Sequence, residues 1–438
     1  MMQVIKLLSI GITFLFFMSC STTKKPSKAI EVPSVPVIPQ PIDAIPPSEV
    51  FLTNLLKAHP NQMADILSNA KSQNAQIIYT TIDRGKNGMP SFTQHYFNTA
   101  DNDYFYPAST VKFPIVLLAL EKLRELNRPG LDRNSVMITE AGYSGQTAVY
   151  NDPNSANGTP SIAGYIKKIL LVSDNDAFNR LYEFLGQDYI NTRLQKKGYA
   201  SAEILHRLSI FLTTDENRHS NPVQFFDSSN RLIYQQQLLK ANNVYPVRKT
   251  LIGKGYFSNG KLVETPMDFS AKNKISLKDI HEMLMALVFP ESVPAAKRFN
   301  ISEEDRSFVL QYMSQYPGES VYPSYDSSYY DAYVKFLLFG SEKGKLPAPI
   351  RIFNKVGNAY GQLTDLAYVV DFEKKIEFFV SATIYCNSDG ILNDDQYDYD
   401  KVGYPFLKNL GSILYEYELK RKRNHLPDLS TLQFSYDK

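Results

Sequence analysis

Strand-like patterning lies near both ends of this 438-residue chain and helical patterning fills the middle, and that order restricts the folds open to it. Residues 76–83 (Gln76-Ile77-Ile78-Tyr79-Thr80-Thr81-Ile82-Asp83) are rich in β-branched side chains, turn at Gly85–Gly88, and are answered by a second run at 91–98. Comparable runs return only late, at 351–357, 365–371 and 376–385. Neighbouring antiparallel strands join through short turns, so two groups of strands this far apart must be assembled by the fold. The pattern predicts an α+β fold: one antiparallel sheet formed by both chain ends, flanking terminal helices, and an inserted all-helical subdomain at about 127–300. The flanking helices are a stretch opening at Ser48 with Val50, Leu52, Leu55 and Leu56, continued around 64–67, and a terminal one at 404–423.

Within the middle block, 161–171 places Ile162, Tyr165, Ile166, Ile169 and Leu170 on one helical face. A second helix at 176–185 closes on Gly186, and 275–288 is helical again. Residues 224–274 are less regular and read as an insertion. The folded domain is predicted over 49–423, with 424–438 as a C-terminal tail.

Ahead of it, Lys6 and the apolar stretch 7–18 have the length of a signal-peptide core, too short to span a bilayer. Ser19-Cys20 then resembles a bacterial lipoprotein cleavage site, with 1–20 as leader and Cys20 as the lipidated residue. Residues 21–48 carry seven prolines, bury no core, and read as a tether. The expected location is the bacterial cell envelope, lipid-anchored, on the periplasmic or outer-membrane side. The other cysteine, Cys386, reads as a buried thiol. A net charge of +2 gives no reason to expect nucleic acid, and no protein partner is indicated.

The chemistry begins at Ser109-Thr110-Val111-Lys112, directly before a long apolar helix. A serine and a lysine three residues apart share a helix face, which sets an amine beside a weak nucleophile. Ser-x-x-Lys alone is common, and a serine at a helix start is ordinarily a cap. Here Ser173-Asp174-Asn175 follows on the link between two helices, and Lys355-Val356-Gly357 on a late strand. Ser-x-x-Lys, Ser-Asp-Asn and Lys-Thr-Gly, in that order, mark penicillin-recognising serine enzymes. Over about 49–423 the chain therefore resembles the class A β-lactamase family. The resemblance implies Ser109 as nucleophile, Lys112 as its base and Ser173 as the proton relay. Asn175 would orient Lys112 and hold a substrate amide, while Lys355 and Gly357 would serve substrate binding. The N–H groups of Ser109 and Asn358 would form the oxyanion hole. No cofactor or metal is implied.

Two departures bear on activity. Val356 stands where the family usually has Thr or Ser, so the hydroxyl that meets a substrate carboxylate is absent; Asn358, Tyr360 and Thr364 are the nearby polar candidates. The family's deacylating Glu lies two residues after an Arg. His206-Arg207-Leu208-Ser209 is the best match and puts Ser209 there, with Asp215 and Glu216 as off-register alternatives. The resulting expectation is a serine hydrolase that acylates on Ser109 and then hydrolyses or retains β-lactams. Alternatives are a D,D-peptidase or esterase acting on cell-wall peptides or esters, and a non-catalytic cell-envelope binding module.

Other motifs are incomplete. Gly142-Tyr143-Ser144-Gly145-Gln146 lacks the last glycine of a nucleophile elbow, and His281-Glu282 lacks a second metal-spaced His and reads as helix surface. Asp394, Asp395, Asp398 and Asp400 lack the spacing of a calcium loop and read as a solvated loop. Lys420–Arg423 suits a helix C-terminus, with a membrane-surface role as the weaker reading.

Overall fold

The computed structural model describes residues 47–99, 104–246 and 248–438. The leader, Cys20 and the proline-rich tether lie outside these residues, apart from Pro47 and Ser48, which begin the first helix.

Both chain ends do build one sheet. Its five strands run in the order Ile350–Ala359, Gln362–Asp371, Ile376–Tyr385, Gln76–Arg84, Pro90–Phe97. All neighbours are antiparallel, and the seam between early and late chain pairs Gln76 with Thr383 and Thr81 with Phe378. Alternate residues of one strand feed two separate cores: Tyr368 and Val370 join one, Ala367 and Val369 the other. Helices Pro47–Lys57, Pro60–Asn69 and Tyr404–Lys420 cover one face through Leu52, Met63, Phe406 and Leu410. The middle block covers the other through Phe113, Phe178 and Leu284. Burial on both faces of the central strands explains apolar runs such as Leu366–Val370 and Phe378–Val380. The second helical stretch, read around 64–67 after the one that opens at Ser48, is a separate helix, and Pro60 begins it.

The middle block is not all-helical. Val136–Thr139, Val223–Phe226 and Leu232–Gln236 form a three-stranded sheet. Gly255–Ser258 pairs with Lys261–Val263 and, in parallel, with Ile391–Leu392. Lys261–Val263 and the two-residue strands Leu239–Lys240 and Leu251–Ile252 are largely exposed, so no apolar alternation announces them. Nor is 424–438 a loose tail: Leu429 and Leu432 are buried in the helical-side core, and the Tyr436 ring covers the Arg351 guanidinium.

Two further sequence readings change. His281 is wholly buried and bridges Thr80 Oγ1 (2.9 Å) and Ser381 Oγ (2.8 Å) across the helix–sheet interface, so it is no surface residue. Arg421 and Arg423 both pair with the buried carboxylate of Glu418, which also accepts from Tyr79 Oη; that is structural work at the helix end. Cys386 is buried, and burial pushes its thiol up to about 12.

Candidate active site

Ser109 lies in the tight turn Ala108–Val111 that leads into helix Lys112–Leu126. Ala108 holds φ 47°, a conformation that a residue with a β-carbon adopts at a cost of ~1–3 kcal/mol, and such strain tends to cluster at functional sites. The helix behind is buried nearly all round from Lys112 to Leu123, so the turn sits on a rigid base.

Ser-Asp-Asn sits between two helices and serves both. Helix Ile162–Val172 ends on Ser173, which takes the left-handed conformation at φ 61°. Asp174 then caps helix Asn175–Leu185, accepting from Ala177 N at 2.8 Å. The cap and turn chemistry of the triplet is real, and it frees the two flanking side chains to face Lys112.

Lys112 is fully buried. Its amine donates to the Ser173 carbonyl, to Asn175 Oδ1 at 2.7 Å and to Ser173 Oγ at 3.3 Å. Lys355, from the edge strand of the sheet, donates to the same Ser173 Oγ at 2.8 Å and to the Val356 carbonyl at 2.9 Å. Burial lowers the Lys112 amine from its ordinary 10.5 to about 7, with Asp174 opposing the shift. Burial, and then the Lys112 charge, hold Lys355 well below its usual range. With two amines donating to one hydroxyl oxygen, the Ser173 proton is left free to point elsewhere.

Gly357 explains how the strand comes so close. A β-carbon there would lie 2.7 Å from the Pro107 carbonyl oxygen and 3.0 Å from Thr110 N. Only glycine lets the edge strand touch the Ser109 turn backbone to backbone, which sets Asn358 beside Ser109 on the wall of one cleft of about 840 Å³. Ser109, Ser173, Asn175, Val356 and Asn358 all line that cleft.

The loop around Arg207 is pinned from inside. Its guanidinium donates to Glu183 Oε1 (2.8 Å), the His219 carbonyl (2.9 Å) and Asn221 Oδ1 (3.2 Å). Ser209 emerges at φ 54°, lines the cleft, and accepts from Asn175 Nδ2 at 2.8 Å. Asp215 and Glu216 face away, bonded to Tyr143 and Ser144, and neither lines the cleft. Thr364 is buried against Thr383 and drops out as a carboxylate contact, whereas Asn358 and Tyr360 remain on the wall.

Sequence reasoning missed the outer wall, where Tyr330, Tyr333, Tyr397, Tyr399 and Tyr404 gather with Asp395 and Asp400. The Asp394–Asp400 cluster signalled it. Among the described residues no group of three or more His, Cys, Asp or Glu side chains is placed to hold a metal ion.

A profile of the β-lactamase enzyme family matches residues 60–417. Solved structures with a similar chain course include a β-lactamase from Xanthomonas campestris (13% identity, TM-score 0.44), covering 83% of this chain and 98% of that one. A point mutant of PBP-A, an acyl-enzyme complex with penicillin G, shares 16% identity at TM-score 0.44, over 84% and 98% of the two chains. The β-lactamase of Streptomyces albus G shares 14% at TM-score 0.43, over 84% and 98%. No functionally curated protein matches the chain.

Proposed function

Because this chain belongs to the β-lactamase enzyme family, we propose that it is a serine acyl hydrolase working through an acyl-enzyme on Ser109. Ser109 Oγ attacks the carbonyl carbon of an amide, lactam or ester, and its proton passes to the Lys112 amine. The Ser109 and Asn358 N–H groups receive the developing oxyanion, a contribution of ~10²–10³ in rate for a single donor. When the tetrahedral adduct collapses, the C–N or C–O bond breaks and the leaving atom takes a proton from Ser173 Oγ, which Lys112 and Lys355 replenish. The observation that carries the reading is the shared hydrogen bonding of Lys112 and Lys355 to Ser173, with the Lys112 amine brought to about 7, near the optimum for a base at neutral pH.

Release is the slow half. The Arg207-Leu208-Ser209 register supports a serine in place of the family's deacylating Glu, Ser209 lines the cleft, and a hydroxyl is no general base at neutral pH. A long-lived adduct follows. Val356, which offers no hydroxyl to a substrate carboxylate, favours a second substrate reading: esters or peptides over β-lactams. Cys20 is proposed as the lipid attachment point that holds the domain in the cell envelope, and metabolic labelling with a fatty acid, lost in Cys20→Ala, tests it.

The test of the enzyme is intact-protein mass spectrometry after incubation with a fluorescent penicillin, an acyl-D-Ala-D-Ala peptide and an aryl ester. An adduct mapping to Ser109, absent in Ser109→Ala, is expected with at least one. Binding without any adduct, equal in wild type and Ser109→Ala, would instead mark a non-catalytic binding module.

A further inference from the structure

The cleft over Ser109 is unusual in charge. Among its described lining residues there is no Arg and no Lys, while Asp395 and Asp400 are both present and exposed. Lys112 and Lys355 lie beneath the floor, buried and engaged with Ser173, Asn175 and the Val356 carbonyl. Val356 adds no hydroxyl. A substrate carboxylate entering this cleft meets two like charges and loses hydration without gaining a guanidinium in exchange.

The aromatic wall points the other way. Tyr397 and Tyr399 have ring centroids 5.3 Å apart, Tyr399 and Tyr404 6.3 Å, and Tyr330 and Tyr333 5.9 Å, so a cluster of rings borders one space. Asp400 acts on the phenols of both Tyr330 and Tyr404, and Asp395 on that of Tyr397, each pushing them up alongside burial. The carboxylates and the rings thus line the same cleft. Aromatic faces backed by carboxylates attract ammonium groups by quadrupole and Coulomb terms together.

We propose that this cleft selects acyl donors bearing an ammonium group, held among Tyr330, Tyr397, Tyr404, Asp395 and Asp400, and selects against donors bearing a carboxylate. The proposal rests on the acyl-hydrolase reading of Ser109 and names the substrate class that reading leaves open. It also gives the Asp394–Asp400 segment a role: it closes the outer cleft ahead of helix Tyr404–Lys420.

Three p-nitrophenyl α-esters, of Nα-acetyl-lysine, Nα-acetyl-norleucine and Nα-acetyl-glutamate, carry unbranched side chains that end in an ammonium, a methyl and a carboxylate. The pre-steady-state burst of p-nitrophenolate reads acylation of the full-length protein. Expected rates fall in the order lysine, norleucine, glutamate, with at least tenfold between first and last. Asp395→Asn/Asp400→Asn should narrow the lysine-to-norleucine ratio severalfold, and 0.5 M salt should narrow it too. A burst in which the norleucine or glutamate ester equals or exceeds the lysine ester, or a ratio untouched by the double variant, overturns the selectivity and leaves Ser109 standing. No burst and no Ser109 adduct with any ester overturns both readings.

Discussion

Replacing Lys112 by Met should abolish acylation and flatten the rise of stability with pH above neutrality, and the size of the second effect follows from burial. The Lys112 amine has no exposed surface, and burial lowers it from 10.5 to about 7. In the unfolded chain it keeps its ordinary affinity. Between pH 7 and 10.5 the unfolded state therefore holds a proton that the folded state does not, so stability rises with pH across that window. Below pH 7 both states are charged and the folded state carries the whole cost, about 4–5 kcal/mol at ~1.36 kcal/mol per tenfold in proton affinity. Met removes that cost but leaves the Ser173 carbonyl and Asn175 Oδ1 without their donor, at ~1–3 kcal/mol for each orphaned group. The two terms oppose each other at pH 7. Their pH dependence does not cancel: from pH 7 to 10 the wild type should gain about 3.5 kcal/mol that Lys112→Met does not. The buried Lys122 and Lys335, also lowered to about 7, are common to both proteins and drop out of the difference. Urea unfolding of both proteins at pH 7, 8, 9 and 10 measures it. Stability curves that stay parallel would show that Lys112 is not held neutral by burial, and the assignment of Lys112 as base would fall with it.

Three more outcomes follow from particular contacts. Gly357→Ala forces a β-carbon against the Pro107 carbonyl and Thr110 N, so it should lose ~1–3 kcal/mol in urea unfolding and ~10–100-fold in acylation rate as the strand backs away from Ser109; wild-type acylation would contradict the close-approach argument. Burial holds the His281 imidazole at about 3, so the unfolded state takes up a proton that the folded state refuses, and stability should fall as pH drops from 6.5 towards 3. His281→Leu should flatten that acid limb while costing ~1–3 kcal/mol at pH 7 through the orphaned Thr80 and Ser381 hydroxyls, and an unchanged limb in thermal scans would refute it. Leu429→Ala, in the supposed tail, should lose ~2–5 kcal/mol, as a core leucine does; a loss under about 0.5 kcal/mol would return 424–438 to the status of a loose end.

Much of the fold is legible in the sequence because its sheet is buried on both faces. Strands such as Gln362–Asp371 are buried at every position and carry an unbroken apolar run from Leu366 to Val370, and that pattern survives in one dimension. The small strands at 239–240, 251–252 and 261–263 sit at the surface, so nothing required their side chains to alternate. His281 reads wrongly from sequence for the converse reason. Its partners, Thr80 and Ser381, lie 201 and 100 residues away, and a polar residue on a helix betrays its burial only when those partners are seen.

The sequence by itself determined the groups that three short segments could supply: a serine and an amine one helical turn apart, a helix cap that carries a hydroxyl, and a lysine on a late strand. It also determined the family, because residue type and order are enough for that. Only the tertiary structure decided what those groups become. The helix and sheet that bury Lys112 set its amine near neutrality, and the absent β-carbon of Gly357 lets the edge strand close on the Ser109 turn. The return of 393–404 over the cleft fixes its charge. Each depends on distance and dielectric between groups far apart in the chain, and those quantities exist only once the chain has closed on itself.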